Sequence, residues 1–313
     1  MRYNMKLNFY QIKELTVGAV NIEKQDEGIR FYKMQKCQID AFYALSNILG
    51  IRAETTTGIR LDFETDSAFV AFENKGGNRF EYFIDGVYQG NVSDAHVRIE
   101  LRKPCRVTLA FPSHNIGIID EFELSDGATA TRHKFDRKIL FIGDSITQGY
   151  DALFPSECYA NRLARYYDAE ILNQAIGGAC FDPAVLQPVG AFDFVVVAYG
   201  TNDWSKKNPT DFAADAAAFM ARLGLIYGKL PVFVVLPIWR ADTHRTDTAG
   251  DFMECRATIG RLAATQGFTV LDDYDLLPHD TRLFSDGYLH PNAIGFQFYA
   301  ENLLPYFEKL LKK

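Results

Sequence analysis

Four short stretches of the chain carry residue types that could do chemistry together. Gly143-Asp144-Ser145 sets a serine just after an apolar run, and Asn173-Gln174-Ala175-Ile176-Gly177-Gly178 ends on a pair of glycines. Tyr199-Gly200-Thr201-Asn202-Asp203 offers a side-chain amide, and Ser285-Asp286-Gly287-Tyr288-Leu289-His290 offers an imidazole with a carboxylate nearby. Acyl transfer requires these parts: a nucleophile, a base to take its proton, and N–H donors aimed at the developing oxyanion. Ser145 can serve as nucleophile and His290 as base. The backbone N–H of Gly178, unobstructed by a Cβ, and the amide of Asn202 can serve as donors. Each part has a structural alternative, because Asp, Ser and Asn also cap helices and a Gly-Gly pair also makes a plain turn.

The elements needed to position these residues are legible around them. Apolar strand candidates fall at 138–142, 169–173, 193–199, 231–236 and 268–271, several of them apolar throughout, as strands of a parallel sheet covered on both faces are. Amphipathic helical stretches at 209–228, 250–266 and 292–312 alternate with them. The expected fold is a doubly wound five-stranded α/β sheet, with three of the chemical stretches just after strands, where open parallel sheets bind ligands. Residues 1 to about 125 read differently. Ile59–Phe63, Phe80–Ile84, Val97–Leu101 and Val107–Phe111 alternate apolar and polar, and Asp85-Gly86 signals a hairpin. This predicts an all-β jelly-roll sandwich over 1–128 and the α/β domain over 129–313, divided at the polar stretch 125–137; the segment 37–50 is ambiguous between strand and short helix.

With 48% hydrophobic residues the chain can bury a sizeable core, and a net charge of −7 without a basic stripe argues against nucleic acid or an anionic membrane surface as partner. Five scattered cysteines, without a CxxC pair, make neither a disulfide framework nor a zinc knuckle. The first fifteen residues lack an apolar leader core, and no apolar run reaches 20 residues. A cytoplasmic protein is expected, although a secreted chain trimmed of its leader would look the same.

The ordered set of GDS, a glycine after an asparagine, GTND and a late D…HP resembles the four sequence blocks of the SGNH (GDSL-type) hydrolase superfamily over roughly 138–312. That resemblance implies Ser145 as nucleophile and oxyanion donor, Gly178 and Asn202 as the other donors, and His290 as base, with Gly177 an alternative for the second role. It also implies a carboxylate three residues before the histidine. Tyr288 stands near that spot and Asp286 is four residues before His290; the extra loop residue is expected to let Asp286 reach the imidazole as the third catalytic residue, with a backbone carbonyl the alternative. A β-sandwich ahead of such a domain is also similar to carbohydrate esterases of family two. Trp204, Trp239 and Tyr288 are the aromatic residues expected to meet sugar rings, with loop packing the alternative for the two tryptophans. The expected activity is serine-dependent hydrolysis of a small-molecule or oligosaccharide ester, O-acetylated carbohydrate first among them, with no metal or organic cofactor. A lipase, lysophospholipase or thioesterase would share the catalytic residues, and a carbohydrate-binding protein with a degenerate site is the alternative from another class.

Overall fold

A computed structural model of the chain describes residues 4–102 and 104–311, so residue 312 of the last expected helix and the outermost termini lie outside the described residues. Its carboxyl-terminal part is a five-stranded parallel sheet. In chain order the strands are Arg137–Gly143, Ala169–Asn173, Phe194–Ala198, Val232–Val235 and Thr269–Leu271, and they lie in the order 2-1-3-4-5. The period of two along each strand sends alternate side chains to opposite faces. Leu140, Ile142, Val195, Val197, Val232 and Val234 pack under the helices Pro209–Tyr227 and Phe252–Thr265. Ile139, Phe141, Phe194, Val196, Phe233 and Val235 pack under Tyr159–Tyr166 and Ala293–Leu311. Both faces are buried, which is why these strands read as unbroken apolar runs; each such Val, Leu or Phe contributes roughly 1.5–3 kcal/mol on burial. The 2-1-3-4-5 order reverses direction between strands 1 and 3. Their carboxyl ends therefore diverge into a crevice, the place where such sheets bind ligands.

The amino-terminal part is a sandwich of two six-stranded sheets with antiparallel pairings. One contains Gly28–Tyr32, Phe69–Gly76, His96–Glu100 and Ile118–Ser125; the other contains Arg60–Thr65, Phe80–Ile84, Val87–Val92 and Cys105–Ala110. Asp85 and Gly86 take positive φ (51° and 76°) and close the expected hairpin. The last sandwich strand is Ala130–Arg132, paired to Arg60–Thr65, so the sandwich takes in residues placed beyond the 128/129 division expected from composition. The ambiguous segment is helical: Lys36–Leu45 and Asn47–Ala53. By packing it belongs to the other domain, since Met34, Ile39, Phe42 and Ala53 join the core on one face of the parallel sheet. That placement brings an amino-terminal helix to the crevice.

Candidate active site

Asp144 comes directly after the first parallel strand and caps a turn of helix, its side chain accepting the Ile146 N–H at 3.0 Å. The turn is Ser145–Gln148, and Gly149 closes it in the left-handed region (φ 89°). As first residue of that turn, Ser145 has an N–H with no intrahelical acceptor. Burial pushes the Asp144 carboxyl up to about 7.

The Ser145 hydroxyl donates to His290 Nε2 at 2.9 Å, and His290 Nδ1 faces Asp286 Oδ2 at 2.8 Å. Asp286 reaches the imidazole despite its extra residue of spacing because the chain wraps around the carboxylate. Oδ1 accepts the N–H groups of Tyr288 (3.0 Å), Leu289 (2.8 Å) and His290 (3.1 Å), leaving Oδ2 for the ring. Burial pushes this carboxyl up, but the three N–H groups and the imidazole outweigh it and hold it below the usual carboxylate range. An ionised Asp286 fixes a proton on Nδ1, so that Nε2 accepts from Ser145. Asp151, at φ 63°, brings a second carboxylate to 3.6 Å from Nδ1. The ligand atoms of Asp151, Asp286 and His290 lie within 4.8 Å of one another, but a metal held there would take the Nδ1 and Oδ2 atoms that bond each other.

The two glycines are told apart by their N–H groups. Gly177 donates to Gln148 Oε1 at 2.6 Å, whereas the Gly178 N–H has no acceptor among the described residues. Gly178 sits at φ 84°, which a side chain would strain. Its carbonyl accepts from Lys206 Nζ (2.7 Å) and that of Gly177 from Arg52 Nη1 (2.6 Å). Asn202, on the helix Thr201–Lys206 after the third strand, donates one amide hydrogen to Ala179 O at 3.1 Å, which orients the side chain and leaves the other hydrogen available. Among the described residues, Ser145, Gly178 and Asn202 thus each keep a donor without an acceptor at the carboxyl ends of the first three parallel strands.

The aromatic expectations fare unevenly. Trp204 is fully buried: its Nε1 donates to Gly250 O at 2.8 Å, Phe252 meets it edge-on, and the guanidinium groups of Arg240 and Arg245 cover its ring. It holds loops together and has no free face for a sugar. Trp239 is half-buried and stacked on His279 at 4.9 Å with Phe284 against it, so its face is also taken. Tyr288 alone of the three stays exposed, at 41%. Arg240 is buried, paired with Asp242 and bonded to Thr201, and supports the loop.

Residues that the sequence did not single out complete the site. Tyr150 lies between His114 (4.5 Å) and His290 (5.9 Å), with the Arg52 guanidinium 5.1 Å from its ring centre. Lys33 is fully buried and donates to Thr55 Oγ1, Thr57 Oγ1 and Ala175 O at 3.0–3.1 Å; Gln148 Nε2 donates to the same two hydroxyls. Tyr150 and Gln148 lie just past Ser145, so their position in the chain was a signal; nothing in the sequence marks Lys33 or Arg52. A cavity of about 150 Å³ between Phe83, Arg106 and Arg165 runs along the seam between the domains and includes no residue of the Ser145–His290–Asp286 set.

Residues 141–298 match the GDSL-like lipase/acylhydrolase family, and no curated sequence matches the chain. Solved structures similar in fold include the salicylyl-acyltransferase SsfX3 from a tetracycline biosynthetic pathway, at 19% identity and TM-score 0.85, covering 99% of this chain and 97% of that one. A family two carbohydrate esterase from Cellvibrio japonicus aligns at 16% identity and TM-score 0.70 over 100% of this chain and 99% of its own. The acetyl xylan esterase Est2A from Butyrivibrio proteoclasticus aligns at 13% identity and TM-score 0.66 over the same shares. These likenesses are of fold and extend through both domains. The family match spans the elements that carry the serine, the glycine loop, the asparagine and the histidine, and on it the chain belongs to the GDSL-like lipase/acylhydrolase family of ester-hydrolysing enzymes.

Proposed function

We propose that the protein is a serine-dependent esterase that removes a short acyl group, acetyl first among them, from a carbohydrate. The observation that carries this reading is the line of hydrogen bonds from Ser145 Oγ to His290 Nε2 and from Nδ1 to Asp286, at 2.9 and 2.8 Å. Ser145 Oγ attacks the ester carbonyl while His290 takes its proton. The oxyanion accepts hydrogen bonds from the Ser145 and Gly178 N–H groups and the Asn202 amide. His290 then gives its proton to the leaving alcohol. Water, deprotonated by the same imidazole, attacks the acyl-serine and releases the acid and free Ser145. The carbohydrate part of the reading is supported by the fold neighbours, which include an acetyl xylan esterase and a family two carbohydrate esterase from Clostridium thermocellum in complex with cellohexaose.

The test is acetate release from acetylated oligosaccharides beside 4-nitrophenyl esters graded from acetate to octanoate. Turnover is expected to fall with acyl length. A sharp rise toward octanoate would favour a lipase or thioesterase activity on the same residues. The likeness to an acyltransferase supports a second reading, in which an alcohol replaces water in the second half-reaction. Ester formation that competes with acid release when a sugar alcohol is added would identify it.

A further inference from the structure

We propose that Arg52 and Lys206 form an anion-binding subsite beside the oxyanion donors, so that the preferred ester carries a carboxylate close to its scissile bond. The inference rests on the esterase reading and specifies its substrate class. Arg52 comes from the short helix Asn47–Ala53 and Lys206 from the end of Thr201–Lys206, two elements far apart in sequence. They converge on one residue. A point at the Cβ position of Gly178 would lie 3.0 Å from Arg52 Nη1 and 3.5 Å from Lys206 Nζ. That point adjoins the one glycine N–H left free for an oxyanion.

Among the described residues, neither charge has a carboxylate in direct contact. Each group donates to a neutral backbone carbonyl, Arg52 to Gly177 and Lys206 to Gly178, and among the described residues neither forms an ion pair. Arg240 and Arg245 are neutralised by Asp242, and Lys207 by Asp203 and Asp215, while Lys33 on the same wall has no ion pair among the described residues but is fully buried, which holds its ammonium well below 10.5. In a chain of net charge −7, two unpaired cations meeting over a substrate-facing loop stand out. Their carbonyl bonds fix both in place and leave most of their N–H donors unspent. A guanidinium so held presents its fork to a carboxylate with little further entropy to lose. The positive field is felt nearby. The His114 imidazole, pushed down first by burial and then by Lys33, Arg52 and His290, sits at about 4 and stays neutral. Arg52 also lies against Tyr150, whose ring contacts that of His290, so its charge is one side chain from the imidazole that moves the proton.

The experiment compares kcat/KM within matched ester pairs. For an anion on the acyl side the pair is 4-nitrophenyl monosuccinate and 4-nitrophenyl butyrate; for the alcohol side it is 3-acetoxybenzoate and phenyl acetate. The wild type is expected to favour the anionic member of one pair by at least about tenfold. Arg52→Gln and Lys206→Gln retain an amide donor for the backbone carbonyl and lose the charge. Each is expected to lower the anionic-to-neutral ratio about 10–100-fold, the range for one charge-assisted hydrogen bond. Lys206 is exposed, so its variant remains informative should Arg52→Gln fold poorly. No preference in either pair, or variants that slow both members of a pair alike, would overturn the proposal; the second result would assign the two cations to the oxyanion loop itself. Turnover of all four esters surviving in Ser145→Ala would instead remove the serine reading beneath it.

Discussion

The two walls of the crevice are held in opposite ways. On the His290 wall the carboxylate is fixed locally: Asp286 is wrapped by N–H groups two to four residues further along its own loop. On the glycine wall, residues 174–179, the backbone is held from a distance. Lys33 reaches Ala175 O across 142 residues, Arg52 reaches Gly177 O across 125, and Gln148 and Lys206 hold Gly177 N–H and Gly178 O. The difference separates two kinds of dependence. The Ser145–His290–Asp286 line is assembled by a short loop and by Ser145, whereas the glycine wall is held jointly by Lys33 and Arg52 from the amino-terminal region and by Gln148 and Lys206 from the α/β domain. Damage to the first should change how protons move, and damage to the second should lower turnover while leaving the pH profile alone.

The relay wall carries the larger expected losses. Ser145→Ala should lower turnover of a chromogenic acetate ester by about 10⁶, the scale for loss of a serine nucleophile, with an unchanged circular dichroism spectrum. Asp286→Asn should lower it by about 10⁴ through the wrong imidazole tautomer. Asp151→Asn, whose carboxylate stands 3.6 Å away, should cost far less. A loss below tenfold in Asp286→Asn would mean that another group orients His290.

The glycine wall should answer more weakly. Asn202→Ala should cost about 10²–10³ in kcat, the usual loss for one oxyanion donor, with the pH dependence of kcat/KM unmoved. Lys33→Met probes the same wall through stability. Burial holds the Lys33 ammonium well below 10.5, so the unfolded chain binds the extra proton between the two values. Stability from this site therefore rises with pH across that window, by up to about 1.4 kcal/mol per pH unit. The denaturation midpoint of the wild type should move upward relative to Lys33→Met as pH rises toward 10.5, and a gap independent of pH would show that Lys33 titrates as it does in the unfolded chain.

The same division governs what could be read from the sequence. The five parallel strands lie within a residue or two of their expected places, because strands covered on both faces must be apolar throughout. Ser145, Asn202 and His290 stood out by residue type at strand ends and in a late loop. Asp286 was the expected partner of His290, but the turn around Oδ1 that lets it reach is not revealed by spacing alone. Trp204 looked available because it comes soon after the third strand, yet the short helix turns it inward onto Phe252. Nothing in the sequence marks Lys33 as buried, because a charge is costly to bury and lysines are mostly exposed. Only the packing of Lys36–Leu45 and Asn47–Ala53 onto the parallel sheet, in a region otherwise read as β, brings Lys33 and Arg52 to the crevice.

The most direct measurement is the site of covalent labelling by a fluorophosphonate, which reacts fastest with a serine activated by its base. Peptide mass spectrometry of the inactivated enzyme should place one adduct on Ser145, formed in step with loss of esterase activity and strongly slowed in His290→Ala. An adduct on another residue, or full inactivation with Ser145 unmodified, would contradict the account.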